Sequence, residues 1–89
     1  MTAKQVFTAE QAQSAADSLG INFSEVKYEL EQFRHGMDIE LEHGTVNSNT
    51  NVTDDDPLMT GKIALAHLNE YYDYYNRLDK LEAEAELKQ

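Results

Sequence analysis

Cysteine is absent from the 89 residues, which excludes a disulfide framework, a thiolate zinc site and a thiol nucleophile. One proline and four glycines leave few breakers, so the composition favours regular structure. No apolar run approaches the roughly 18 residues of a membrane span, and the N-terminus lacks the apolar core of a signal peptide. The expected location is therefore the cytoplasm, with no membrane contact. Positive charge is the scarcest commodity: seven Lys or Arg stand against 17 Asp or Glu, a formal net charge of −10. Phosphate binding needs clustered basic residues, so neither nucleic acid nor an anionic membrane surface is an expected partner. A basic protein partner, a cation or plain solubility all fit such a surface.

What remains is enough for one small core. Hydrophobic residues make up 40% of the chain, with five Tyr and three Phe. A chain of this length buries only ~60–65% of its unfolded surface, so one domain of modest stability is expected over residues 1–89. Its ends, 1–6 and 83–89, are expected to fray.

Caps and periodicity predict an all-α fold, a small three- to four-helix bundle with helices at about 8–19, 24–43, 57–71 and 72–87. Thr8 is a good N-cap and Gly20 a typical C′ residue. Asn22 or Ser24 caps the second helix, whose Val26, Leu30, Phe33, Met37 and Leu41 repeat at steps of four, three, four and four. Gly44 stops it. Pro57 sits at a first helical position behind three Asp, opening a third helix. Some 30 continuous helical residues would span roughly 45 Å, too long for this domain, so a bend near Tyr71–Asp73 is expected. Leu30, Phe33, Met37, Leu65, Leu68 and Tyr72 are the expected core. Gly36 and Gly61 stand inside helices, where glycine costs roughly 1 kcal/mol against alanine, and at least one should mark a close helix approach.

Three constellations invite a functional reading. Glu40 and His43 lie three apart on one helix, as do His67 and Glu70 on another, the spacing of carboxylate–histidine metal sites in bundles. At 100° per residue Glu40 falls about 20° from Phe33, inside the apolar stripe, while Glu42 points away. Asp38, Glu40 and Glu42 also crowd the negative end of their helix. The competing reading has Lys62 or Arg34 pairing with Glu40, and His43 merely suiting a helix C-terminus. An antiparallel register would further set the two halves of such a site about two turns apart.

The loop from Asn47 to Asp55 alternates oxygen side chains like an EF-hand loop, but Val52 stands where glycine is needed and Leu58 where a bidentate Glu belongs. A turn-rich connector is the expectation. Four Tyr within positions 71–75 cannot share one face, so some are expected on the surface as interface anchors. Tyr71, Tyr74, Asp38 and Glu42 are the candidate partner-binding residues. No phosphate-cradling glycine loop, nucleophile elbow or complete metalloprotease pattern is present, and no catalytic residue is assigned.

The segments FRHGMDIELEHGT (Phe33–Thr45), NVTDDDPLMTGKIALAHLNE (Asn51–Glu70) and YYNRL (Tyr74–Leu78) resemble a family of small bacterial and phage proteins of unknown function. The resemblance runs from Gln32 to Leu81, with ELEHG and TGKIALAHL its most specific strings. It implies a phage or prophage setting, hence a host cytoplasm, and a proline in the family pattern where Tyr72 stands. It supplies no activity. The expected function is an acidic helical binding or inhibitory module acting on a protein partner. The alternatives are a bundle holding a divalent metal through Glu40, His43, His67 and Glu70, with no other cofactor, and a structural domain with no ligand.

Overall fold

Four α-helices and one short 3₁₀ turn account for more than half of the described residues, 6–87, in this computed structural model. They are α1 (Ala9–Leu19), α2 (Leu30–Glu40), the 3₁₀ turn (Leu41–His43), α3 (Pro57–Glu70) and α4 (Tyr74–Leu87), with no strand among the described residues. Of the segments expected to fray, residues 1–5 and 88–89 lie outside the described ones, and α4 runs through Leu87.

The boundaries follow local chemistry. Thr8 caps α1 in a full capping box with Gln11, and Gly20 closes it in the left-handed conformation at φ 74°. Asp56 caps α3 through the Met59 N–H, with Pro57 at its first turn. The expected bend is present: α3 ends at Glu70, Tyr71 is extended, and α4 restarts at Tyr74. The start of α2 differs from expectation. It begins at Leu30 behind Glu29, because the Asn22 side chain accepts from the Ser24 N–H and hydroxyl and spends itself on a local turn. Residues 21–29 still serve the core, with the Phe23 ring set between Tyr28 and Phe33 at centroid distances of 6.1 and 6.3 Å.

The core lies among α1, α2 and α3, which pack mutually, and α4 is the more lightly attached helix. Small residues of α1 (Ala12, Ala15, Ala16) let the helices approach, and Phe33 and Met37 fill the centre at 0% exposure. Of the six residues expected there, Phe33, Met37 and Leu68 are buried, whereas Leu30 and Leu65 are only half-buried and Tyr72 is 50% exposed. The elbow at 71–73 explains the last: it breaks the helical phase, so Tyr75 enters the core in place of Tyr72.

Both internal glycines mark close contacts. A Cβ on Gly61 would stand 3.2 Å from Phe33 Cζ and 3.4 Å from Ala15 Cβ, where α3 presses on α2 and α1. At Gly36 the Tyr75 ring lies directly over the helix backbone, and a Cβ there would sit 2.8 Å from Cδ2. The absence of a side chain at 36 therefore makes the notch that seats α4.

Candidate functional site

Glu40, the last residue of α2, is 2% exposed, as its position in the apolar stripe foretold. A buried carboxylate needs partners, and two other helices supply them. The Tyr75 hydroxyl of α4 donates to Glu40 Oε2 at 2.5 Å, and His67 Nδ1 of α3 lies 2.7 Å from the same oxygen. Facing a carboxylate, Nδ1 carries the proton, which assigns the tautomer of His67 and leaves Nε2 as its second polar atom. The Tyr74 ring stacks on the imidazole at 4.4 Å, with an interplanar angle of 10°. Burial, followed by the Glu40 hydrogen bond, pushes the Tyr75 hydroxyl well above the usual tyrosine range, so it stays a donor. Tyr74 is pushed up as well, by burial and then by the charge of Glu40.

The competing reading of Glu40 is thereby corrected. Arg34 bonds Glu31 and Asp38, Lys62 is exposed, and neither pairs with Glu40. The antiparallel register is corrected too. Gly61 meets Phe33 while His67 meets Glu40, so the contact climbs α2 and α3 in the same sense. An antiparallel pair would reverse that order.

The other carboxylate oxygen, Glu40 Oε1, faces His43 Nε2 at 3.5 Å, and His43 Nε2 is 3.4 Å from Glu42 Oε1. Glu40, Glu42 and His43 can bring one ligand atom each within 4.8 Å of one another. Of the four ligands expected from spacing, Glu40 and His43 thus converge. His67 acts instead through its hydrogen bond to Glu40, and the exposed Glu70 is outside the group. Glu42, expected to touch a partner, joins it.

Of the four candidate partner residues, Asp38 is corrected. Its side chain is 1% exposed and accepts from the Phe7 N–H at 2.9 Å, the Val6 N–H at 3.3 Å and Arg34 Nη1 at 2.6 Å. Arg34 Nη1 also donates to the Phe7 carbonyl at 3.2 Å, and Arg34 binds Glu31 through Nε and Nη2. The Glu31–Arg34–Asp38 spacing is that of helical ion pairs, a signal present in the sequence. It clamps the segment before α1 onto α2. Tyr74 is half-buried against His67, whereas Tyr71 and Glu42 lie on the surface. Arg77 sits 5.2 Å above the Tyr71 ring.

The loop beside this site is ordered by its own oxygens, as expected of a connector. Asp55 accepts from the Thr45 N–H at 2.9 Å and hydroxyl at 2.6 Å, while Asn47 and Asn51 cap the Asn49 and Asp54 N–H groups. The His43 carbonyl accepts from Val52 and Thr53, tying the loop to the 3₁₀ turn. Asp54 and Asp55 take positive φ of 53° and 62°, tolerable for short polar side chains that bond locally. Held this way, the loop presents Val46 at 76% and Val52 at 67% exposure, and the first turn of α3 adds Leu58 and Met59 at 38% and 43%. Glu42, Asp54 and Asp56 are exposed in the same stretch of chain. The signal for this surface was in the chain, since no lysine or arginine occurs from His35 to Gly61.

Comparison with known proteins adds a family. No curated protein and no solved structure matches the chain. A family described as "Protein of unknown function (DUF5661)" matches residues 12–84, which take in α1 to α3 with little missing and most of α4. The chain belongs to that family.

Proposed function

We propose that the protein is a small acidic binding module that engages a basic protein surface with the end formed by the 3₁₀ turn, the loop 44–56 and the first turn of α3. The observation that supports this reading is the exposure of Val46, Val52, Leu58 and Met59 among carboxylates, in a stretch with no lysine or arginine. Exposed apolar anchors in a stretch of chain that carries one sign of charge suit a partner with a complementary basic rim. In the phage or prophage setting that the resemblance implies, filling a basic groove would make the module inhibitory. A photo-crosslinking residue at Val52, compared with one at Glu10 on α1, tests the contact in producing cells. Capture is expected at Val52, concentrated on basic proteins and lost on Glu42→Lys with the melting temperature unchanged. Equal capture from Glu10, or capture indifferent to Glu42→Lys, would refute the reading.

A second reading rests on the convergence of Glu40, Glu42 and His43. A divalent ion there would take Glu40 Oε1, while His67 and Tyr75 hold the other oxygen in place, as outer-shell groups do. Zinc titration by calorimetry should then give heat that His43→Ala abolishes, since imidazole is the strongest of the three donors for such an ion. Equal heat from the variant removes the metal. With neither capture nor heat, the acidity serves solubility alone.

A further inference from the structure

The outer face of α4 has the form of half an interface. Tyr74, Leu78, Leu81 and Ala85 follow one another at steps of four, three and four, the spacing of a coiled-coil seam. The first two are half-buried against the bundle, but Leu81 is 62% exposed and Ala85 is exposed with it. Where the seam leaves the bundle, Tyr71, Tyr74, Arg77, Leu78 and Leu81 border a shallow, mainly apolar cleft of about 260 Å³.

Charge along the same helix is divided. Arg77 and Lys80 stand in its first half, where the intervening Asp79 is taken up by His35 at 2.8 Å, and Glu82 and Glu84 stand in its second. Acids at that end oppose the helix dipole, and no basic residue occupies the last turn. A helix running the other way alongside would answer both features, bringing positive charge and a positive dipole end to the glutamates. α4 itself has that charge order.

We propose that α4 pairs antiparallel with α4 of a second copy of this chain, about a two-fold axis between Leu78 and Leu81. In that register Leu78 of one copy meets Leu81 of the other, and Tyr74 meets Ala85. Arg77, whose side chain is 66% exposed and whose Nε donates to Asp73 of its own chain at 2.8 Å, flanks Glu84 of the other copy with its remaining N–H groups, and the pair occurs twice by symmetry. Long-range repulsion between two chains of net charge −10 is screened beyond about 8 Å at physiological salt, leaving these local pairs to set the orientation. A helix of 14 residues is about 21 Å long, so the interface is small and its affinity in the weak, concentration-dependent class. The loop end carries none of these residues, so a dimer would display two copies of it.

Sedimentation equilibrium between about 10 μM and 1 mM protein in ~0.15 M salt tests the pairing. The average mass should climb from 10.1 kDa toward twice that value, and Leu81→Glu should remain monomeric throughout with unchanged helicity. Arg77→Glu and Glu84→Arg should each weaken association about five- to tenfold, and the doubly reversed chain should recover it. A monomer mass at every concentration, or a dimer indifferent to Leu81→Glu, overturns the proposal. Dimerisation without recovery in the doubly reversed chain overturns the antiparallel register.

Discussion

Phe33→Ala is expected to cost about 3–5 kcal/mol, a large part of the ~4–13 kcal/mol that a chain of 89 residues holds. Phe33 is 0% exposed, and its ring fills the place where α2, α3 and the 21–29 segment meet. The neighbours cannot easily collapse into the space, because Gly61 and Ala15 across from it have almost no side chain to extend. The loss therefore combines the transfer energy of a ring with an unfilled cavity. Urea unfolding followed by circular dichroism should show the midpoint falling with the slope unchanged. A midpoint equal to that of the parent would move the centre of the core elsewhere, Leu65 and Leu30 being the half-buried alternatives.

Asp38→Ala should be comparably damaging, at about 3–5 kcal/mol, although the residue is acidic in an already acidic chain. The reason is what it leaves behind. Arg34, with 7% of its side chain exposed, loses its buried counter-ion, and the Phe7 N–H loses its acceptor. Arg34 keeps Glu31, whose carboxylate is 71% exposed and correspondingly screened. Glu31→Ala should accordingly cost under about 1 kcal/mol. Arg34 holds the Glu31 carboxyl below its ordinary range, so its small contribution is complete above that range and fades as pH falls through the lowered value. The comparison of the two variants by thermal melting is the check. Equal losses would mean that the clamp on the segment before α1 contributes nothing of its own.

Much of this architecture was legible one residue at a time. Thr8, Gly20 and Pro57 mark helix ends by chemistry that operates within four residues and stand at the ends they mark, whereas α2 ends at Glu40 and Gly44 closes the 3₁₀ turn that follows it. Asn22 and Ser24 have the same chemistry but use it for a turn, and nothing local separates an N-cap from an Asx turn ahead of a helix. Glu40 was readable as buried because it shares a helical phase with Phe33 inside one unbroken helix. Tyr75 was not, because its phase is reset by the elbow before it. The pairing of Glu40 with His67 required the direction in which α3 crosses α2. A loop of 13 residues can return in either sense, and periodicity carries no information about the choice. Asp38 was misread because charge was weighed without its partners, though Arg34 stood one turn away.

The clamp and the Gly36 notch also put the chain on a timetable. Phe7 leaves the ribosome first, but the carboxylate that receives its N–H lies 31 residues later. The Tyr75 ring that closes over Gly36, and the hydroxyl that meets Glu40, come later still. At ~5–20 residues per second that interval lasts on the order of seconds. Only in its later part, after Asp38 has emerged, can α1 be tethered, and the Glu40 carboxylate then still waits for its donors on α3 and α4.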